Sequence, residues 1–355
     1  MDVAEFGFDL PDGLIAQDPP AERGESRLMV VSRQSGSREH TQFRRLADFL
    51  RPGDLLVLNN TKVFPARLLG TRMPGGGAVE CLLLRNLGVG TLGVGSSVWE
   101  ALMHPGQRLK EGARFVLERD GSRLFGEVLS RQFFGRRSVR LRTEDDSDVG
   151  EAIERIGHIP LPPYIRRDDR PSDRERYQTV YARETGSIAA PTAGLHFTPE
   201  LFEELAARGI ERTEITLHVG YGTFKPMRAP RVEEHVVDPE RYFVDARAAA
   251  ALARARGEGR RIIAVGTTTV RVLESLHGGD GEGIQPAAGE TGLFIRPGHE
   301  FHLVDGLITN FHLPQSSLLV LVAAFAGRER ILEAYRAAVA HRYRFYSYGD
   351  AMLIL

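Results

Sequence analysis

The order of apolar and polar positions divides the chain into regions of different texture. Residues 54–58, "DLLVL", are an almost unbroken apolar run, the pattern of a strand covered on both faces, and lead into "NNTKVFPARLLG". From about 71 to 142 the runs shorten to "AVECLLL", "SVWEALM", "RFVLE", "RLFGEVL" and "SVRLR", separated by Gly, Pro, Asn and Asp. That spacing predicts a small antiparallel barrel or sandwich. "TEDDSDVGEAIERIG" then turns acidic and helical, and the stiff "HIPLPPYIRR" reads as a crossing back to the first region.

After residue 175 strand and helix patterns alternate. Thr198 is placed to cap a helix whose first residue is Pro199, with Gly209 at its end. "YFV" (242–244) precedes a helix capped by Asp245 and ended by Gly257. "RIIAV" (261–265) reads as a strand, "TTTVRVLESL" as a helix, and "TGLFI" and "LITNF" as further strands. "SLLVLVAAFA" (317–326) falls short of the ~20 residues needed to span a bilayer and reads as a buried helix, followed by a second, Arg-rich one. "HGGDGEG" (277–283) reads as a loop. The fold predicted is a large α/β domain, a mixed sheet with helices, formed by residues 1–70 and 150–355. An inserted small antiparallel β-barrel domain occupies 71–149.

Composition adds limits. A net charge of −1 argues against a bulk polycation that wraps nucleic acid. Lysine occurs only at Lys62, Lys110 and Lys225, so the arginine excess reads as genome composition rather than an RNA signal. The one cysteine, Cys81, rules out an intrachain disulfide framework and a Cys-based zinc site and fits a reducing cytoplasm. The N-terminus lacks the pattern of a secretory signal, so a cytoplasmic location is expected.

Four stretches can carry chemistry. "RIIAVGTTTVRVLES" runs a strand through Gly266 into Thr267 and Thr268 at a helix N-terminus, an arrangement suited to an anion or nucleotide. It is neither the dinucleotide fingerprint nor a P-loop, and an ordinary Thr-capped turn is its plain alternative. "ITLHVGYGTFKP" ends a strand in His218, with Gly220, Tyr221, Thr223 and Phe224 beyond it; Tyr221 and Phe224 could stack on a base, although Gly-Tyr-Gly is also a plain turn. "EEHVVDPERYFV" mixes His235 with Asp238 and Glu240 and could supply a general base, against a default of a solvated loop. Asn310 and His312 in "LITNFHLPQSS", and Asn59 and Asn60 in "VLNNTKVFPAR", stand at strand exits, a common ligand position in open α/β sheets. Neither a divalent-metal motif nor G-x-S-x-G occurs, so neither a metal site nor a serine hydrolase is expected.

These stretches, together with "FDLPDGLIAQDPPAERGESRLMVV", "GHIPLPPYIRR", "YQTVYARETGSIAAPTAGLHFT" and "YRFYSYGDAMLI", run over nearly the whole chain in an order that resembles the S-adenosylmethionine:tRNA ribosyltransferase-isomerase family of queuosine biosynthesis. The resemblance implies transfer and isomerisation of the ribosyl part of S-adenosylmethionine onto 7-aminomethyl-7-deazaguanine at the tRNA wobble position. Epoxyqueuosine forms, and adenine and methionine leave. S-adenosylmethionine is then a co-substrate, no prosthetic group is needed, and the partner is the tRNA anticodon loop. The protein is expected to be a monomer with no membrane association. A conventional S-adenosylmethionine-dependent methyltransferase would carry a Gly-rich loop after its first strand, which "VLNNTKVFPAR" lacks. A non-catalytic tRNA-binding module would not need the neutral Thr, Gly and His loops.

The reaction needs acceptors for a C5′ proton and for the proton of the aminomethyl nitrogen, and help for departing adenine. Imidazoles suit this, so His196, His218 and His235 are expected to include the proton-transfer groups, His196 foremost. Gly266, Thr267, Thr268 and Arg271 are expected to hold the nucleoside or the methionine carboxylate. Asn59, Asn60, Arg67, Thr192, Gly194, Gly220, Tyr221, Thr223, Asn310 and His312 complete the expected substrate contacts. Arg166 and Arg167, with Arg336, Arg342 and Arg344 of the last helix, are expected on tRNA phosphates. Tyr221 and Asp238 depart from the residues common in the family, a smaller one and a histidine, so Asp238 ranks below His235.

Overall fold

The structure is a computed structural model describing residues 1–88, 95–132, 135–224, 227–276 and 283–355, with Phe224 described by its backbone alone. The Phe224 ring and the loop expected at 277–282 therefore lie outside the described residues. The first ten strands are β1 (Arg27–Val31), β2 (Arg38–Gln42), β3 (Leu55–Asn59), β4 (Thr61–Val63), β5 (Arg67–Met73), β6 (Ala78–Gly88), β7 (Ser96–His104), β8 (Arg114–Arg119), β9 (Ser122–Arg131) and β10 (Arg136–Arg142). They are followed by β11 (Glu184–Ser187), β12 (Glu211–Leu217), β13 (Glu240–Val244), β14 (Ile262–Val265), β15 (Ala287–Thr291), β16 (Gly306–Asn310) and β17 (Ala351–Ile354). The helices are α1 (Val149–Ile156), α2 (Asp173–Arg176), α3 (Pro199–Ala207), α4 (Ala246–Gly257), α5 (Thr267–Ser275), α6 (Ser317–Ala326) and α7 (Arg328–Ala340).

Nine strands form a mixed sheet in the order β15-β13-β12-β3-β14-β16-β17-β1-β2, whose centre, β12-β3-β14-β16, is parallel. The apolar run of β3 is buried on both faces. Leu55 and Val57 join the core under α4 to α7, whereas Leu56 and Leu58 pack with Phe43, Phe197 and Phe202 on the other side. The helices start where a capping side chain satisfies one of the first free N–H groups. Thr198 Oγ1 accepts from Leu201 N at 3.2 Å, Asp245 Oδ1 from Ala248 N at 2.7 Å and Ser316 Oγ from Leu319 N at 3.2 Å. Helix α6 is the apolar segment 317–326, and its inward side chains are buried in the main core.

Strands β5 to β10 close into a six-stranded antiparallel barrel, the first of them starting at Arg67. Helix α1 packs against it, adding Val149, Ala152, Ile153 and Ile156 to a core that includes Leu68, Cys81, Leu83, Leu117 and Leu141. Burial pushes the Cys81 thiol up to about 12, which makes it an inert core residue. One expected strand is displaced: β15 ends at Thr291, and "TGLFI" leaves the ladder after its first residue. The buried Arg271 guanidinium takes the carbonyls of Thr291 at 2.9 Å and Leu293 at 3.1 Å, which turns the chain away.

Candidate active site

The parallel strands deliver their C-terminal ends to the junction with the barrel. There residues 186–192 run beside 218–223, joined by Ile188 N to Val219 O at 3.1 Å and Val219 N to Ser187 Oγ at 2.7 Å. Three cavities surround this double segment. An outer cleft of about 650 Å³ lies between barrel and sheet, an inner cavity of about 70 Å³ lies at the exits of β14 and β16, and a further cleft of about 480 Å³ runs along Ile159–Pro163. Val219 lines both the outer cleft and the inner cavity, and Tyr221 and Ile188 line both clefts.

The inner cavity is built around the start of α5. Gly266 ends β14 at φ 94°, a conformation that suits glycine and that starts the helix directly under the cavity. Thr267 and Thr268 form its first turn and are buried. Opposite them Thr192 donates to Asn310 Oδ1 at 3.0 Å, and Asn310 Nδ2 donates to the Tyr346 carbonyl at 3.1 Å. Thr309 Oγ1 lies 2.8 Å from His312 Nε2, and burial holds the His312 imidazole down to about 3, so it is neutral. Two buried hydroxyls that line this cavity, Thr268 Oγ1 and Tyr346 Oη, have no hydrogen-bond partner among the described residues. Unpaired buried hydroxyls at a helix N-terminus form a receptor for a carboxylate or a nucleoside.

The three histidines have different surroundings. His196 is buried, with Ser26 Oγ 3.0 Å from Nδ1 and Asn310 Nδ2 3.1 Å from Nε2, and its ring lies 4.9 Å from that of Phe43. The Tyr346 carbonyl fixes the Asn310 amide as donor, so Nε2 accepts and Nδ1–H donates to Ser26. Burial, then the charges of Arg23 and Arg344, hold His196 down to about 3. Gly194 is required by packing, since a Cβ there would lie 2.0 Å from Tyr181 Oη; the small residues before His196 therefore serve a close approach of Tyr181 as well as the inner cavity.

His218 ends β12 facing the outer cleft. Its Nδ1 is 2.9 Å from Thr61 Oγ1, and its ring rests on Gly186, where a Cβ would come within 2.7 Å of Cε1. Thr61 also reaches the Glu184 carbonyl at 3.3 Å. Thr61 Oγ1 also lies 2.8 Å from Ser187 Oγ, and in the tautomer in which His218 Nδ1–H donates to Thr61 the unprotonated nitrogen is Nε2. Burial, then Arg241, lowers its pKa, and Glu184 opposes them. His235 is half-buried on the loop before β13, edge-on to Phe294 at 5.1 Å, and lines neither the cleft nor the inner cavity. Burial lowers its pKa and Asp238 raises it.

Several expected contacts are structural. Asn59 is fully buried and binds the backbone of Leu217 at both ends of its amide, at 2.9 and 3.0 Å. Asn60 accepts from Thr216 Oγ1 at 2.7 Å. Arg271 is buried and paired with Glu240 at 2.5 Å besides its two carbonyls, so its guanidinium is not offered to a substrate. Glu240 in turn accepts from Gly220 N at 2.7 Å and Thr223 Oγ1 at 3.2 Å, which makes it the brace of the Gly-Tyr-Gly turn. Arg67 is bidentate to Glu80, at 3.0 and 3.2 Å, and lines the cleft along Ile159–Pro163.

The arginines expected on tRNA divide in the same way. Arg166, Arg336 and Arg342 are exposed. Arg167 is bidentate to the buried Asp173, at 2.7 and 2.9 Å, and Arg344 turns inward to the carbonyls of Asp18 and Tyr348. The last helix ends at Ala340, so Arg342 and Arg344 lie in the loop beyond it. Sequence reasoning missed the barrel wall of the cleft, formed by Phe64, Trp99, Arg85, Glu100 and Arg136, and the Tyr346 hydroxyl. The lone tryptophan in "SVWEALM" and the tyrosines of "YRFYSYGD" were the available signals.

A mixed sheet with a closed barrel beside it, a hydroxyl-lined helix N-terminus at the strand exits and an aromatic cleft between barrel and sheet define a two-part α/β protein with its cavities at the junction. A family model described as Queuosine biosynthesis protein matches residues 3–354, and the chain belongs to that family. It is 50% identical over 355 residues to the S-adenosylmethionine:tRNA ribosyltransferase-isomerase of Heliobacterium modesticaldum, covering 100% of both chains. It is 51% identical over 356 residues to the protein of the same name from Syntrophotalea carbinolica, again covering 100% of both. A crystal structure of S-adenosylmethionine tRNA ribosyltransferase from Thermotoga maritima matches with a TM-score of 0.55 at 40% identity, covering 99% of this chain and 100% of that one.

Proposed function

We propose that this protein is an S-adenosylmethionine:tRNA ribosyltransferase-isomerase. It moves the ribosyl unit of S-adenosylmethionine onto the aminomethyl nitrogen of 7-aminomethyl-7-deazaguanine at the tRNA wobble position. The observation that carries the reading is a pair of neighbouring cavities that share Val219 as a wall: a small receptor at the α5 N-terminus, where the Thr268 and Tyr346 hydroxyls have no partner among the described residues, lies beside a cleft large enough for a base. In this reading one polar end of S-adenosylmethionine engages the inner receptor, whose volume of about 70 Å³ admits no more than a carboxylate-sized group, and the wobble base is turned out of the anticodon loop into the cleft, between Phe64, Trp99 and Tyr221.

The chemistry then falls at the junction. The sulfonium acidifies the C5′ protons, and His218 Nε2 takes one while Thr61 holds the ring. The uncharged aminomethyl nitrogen forms the new C–N bond at C1′ as the bond to adenine breaks, and its displaced proton leaves on the adenine ring nitrogen. The C5′ carbanion closes onto C1′, the ribose ring oxygen shifts from C1′ to C5′ to form the epoxide, and the C5′–S bond breaks to release methionine as a neutral thioether. His196 is a positioning residue in this scheme, because it fixes the Asn310 amide on the wall of the inner cavity. Incubation of the protein with S-adenosylmethionine and precursor-bearing tRNA, followed by mass spectrometry of the tRNA, tests the reading. A five-carbon addition with stoichiometric free adenine is expected. A one-carbon addition means methylation, an unchanged tRNA means binding alone, and either result overturns the proposal.

A further inference from the structure

The mouth of the outer cleft is crossed by a chain of five alternating charges. Glu100 on β7 is nearly buried and receives Arg136 of β10 at 3.2 Å and approaches Arg85 of β6 at 3.8 Å. Each arginine also reaches across the cleft to an acid of the large sheet region: Arg136 to Asp238 at 3.2 Å, and Arg85 to Glu290 at 3.6 Å. The two kinds of pair differ in burial. The Glu100 side chain is 11% exposed, whereas Asp238 is 36% and Glu290 49% exposed. Glu100 thus anchors Arg136 to the barrel by a hydrogen bond and attracts Arg85 from 3.8 Å, and the cross-cleft pairs are half-exposed and weak.

Resting on the ribosyl-transfer reading, we propose that Arg85 and Arg136 are the arginines that engage the RNA backbone on either side of the inserted nucleotide, and that Asp238 and Glu290 occupy their phosphate positions in the free protein. A nucleotide that enters a cleft leaves one phosphate on each side of the entrance, and two arginines held apart by one buried carboxylate match that demand. Carboxylate and phosphate oxygens present similar acceptors to a guanidinium, so an exchange keeps the arginine geometry. The acids balance the arginines in the free state, so the entrance is not a basic patch. RNA that only passes along the surface gains nothing until it displaces both carboxylates, which favours a substrate able to send a nucleotide inside.

The test measures binding of precursor-bearing tRNA to the full-length protein, without S-adenosylmethionine, over a range of salt concentrations. Arg85→Ala and Arg136→Ala are each expected to weaken binding about five- to tenfold and to lower the slope of log K against log salt by about 0.7, the value for one phosphate on a single strand. Asp238→Asn and Glu290→Gln are expected to tighten binding about two- to fivefold by releasing the arginines. A merely bracing role predicts no tightening in any variant. Acid variants that bind tRNA as weakly as the arginine variants, or arginine variants with the wild-type salt slope, overturn the proposal. Should an arginine variant fail to fold, the two acid variants decide. A wild-type protein that binds tRNA with this pattern but adds no five-carbon unit would instead overturn the ribosyl-transfer reading.

Discussion

His196 follows Gly194 and His218 precedes Gly220 and Gly222, and the fold gives the two histidines opposite surroundings. His196 has a partner on both ring nitrogens, and at about 3 its basicity is far from the range useful near neutral pH. His218 has one nitrogen held by Thr61 and the other turned to the cleft, against a glycine that lets the ring lie flat. A histidine set among small, uncharged residues marks a pocket, but burial on both nitrogens makes it part of the wall. Burial on one side leaves it able to exchange protons.

The comparison is broken most sharply by activity. His218→Ala is expected to lower single-turnover adenine release by roughly 10² to 10⁴-fold, the span of a lost general base, with the melting temperature nearly unchanged. His196→Ala should act first on the fold. It strands the Ser26 hydroxyl and the Asn310 amide and opens a cavity beside Phe43, a loss of about 2–4 kcal/mol in denaturant unfolding. An alanine at 196 that abolishes adenine release at full stability would reverse the assignment of the two residues.

Much of this architecture was legible from pattern alone. The two-faced burial of β3 follows from "DLLVL", the caps of α3 and α4 from Thr198 and Asp245, and the barrel from short broken runs. Local spacing carries those features. What it does not carry is which partner a polar side chain finds across the fold. Asn59 and Asn60 stand at a strand exit, yet their amides complete the edge of β12. Arg271 follows the Thr turn directly, yet Glu240, 31 residues earlier, claims it. Arg167 and Arg344 look like surface cations until Asp173 and the Tyr348 carbonyl are seen to hold them. The cleft's barrel wall was hidden for the same reason: Arg85, Glu100 and Arg136 lie on three strands and meet only when the barrel closes.

The contrast can be sharpened with pH. His196 and His312 are held to about 3 from an ordinary 6.5, so below pH 6.5 the unfolded chain binds protons that the folded chain refuses. The stability contributed by these groups is therefore complete above that pH and is lost as pH falls toward 3, by about 1.4 kcal/mol per pH unit for each. Urea unfolding between pH 7 and 5 should show a slope that steepens toward this value below pH 6, and His196→Gln should remove about 1 kcal/mol per pH unit of it over that range. An unaltered slope in that variant would mean that His196 takes up a proton while folded, which would return it to the list of proton carriers.

The smallest effect expected separates wall from receptor inside the inner cavity. Asn310 is satisfied by Thr192, His196 and Tyr346, but the Thr268 hydroxyl, a few residues from Gly266, is buried without a partner. An unpaired buried hydroxyl costs the folded protein free energy that a ligand acceptor can recover. Thr268→Val keeps the shape and deletes the group. If the hydroxyl serves the ligand, the affinity for S-adenosylmethionine should fall about fivefold, near 1 kcal/mol, while the ligand-free protein becomes no less stable. Asn310→Ala should show the reverse order, losing stability before affinity, because its amide is bound by the protein itself. Equal affinity in wild type and Thr268→Val, measured by calorimetry, would move the ligand away from the α5 N-terminus and into one of the two larger clefts.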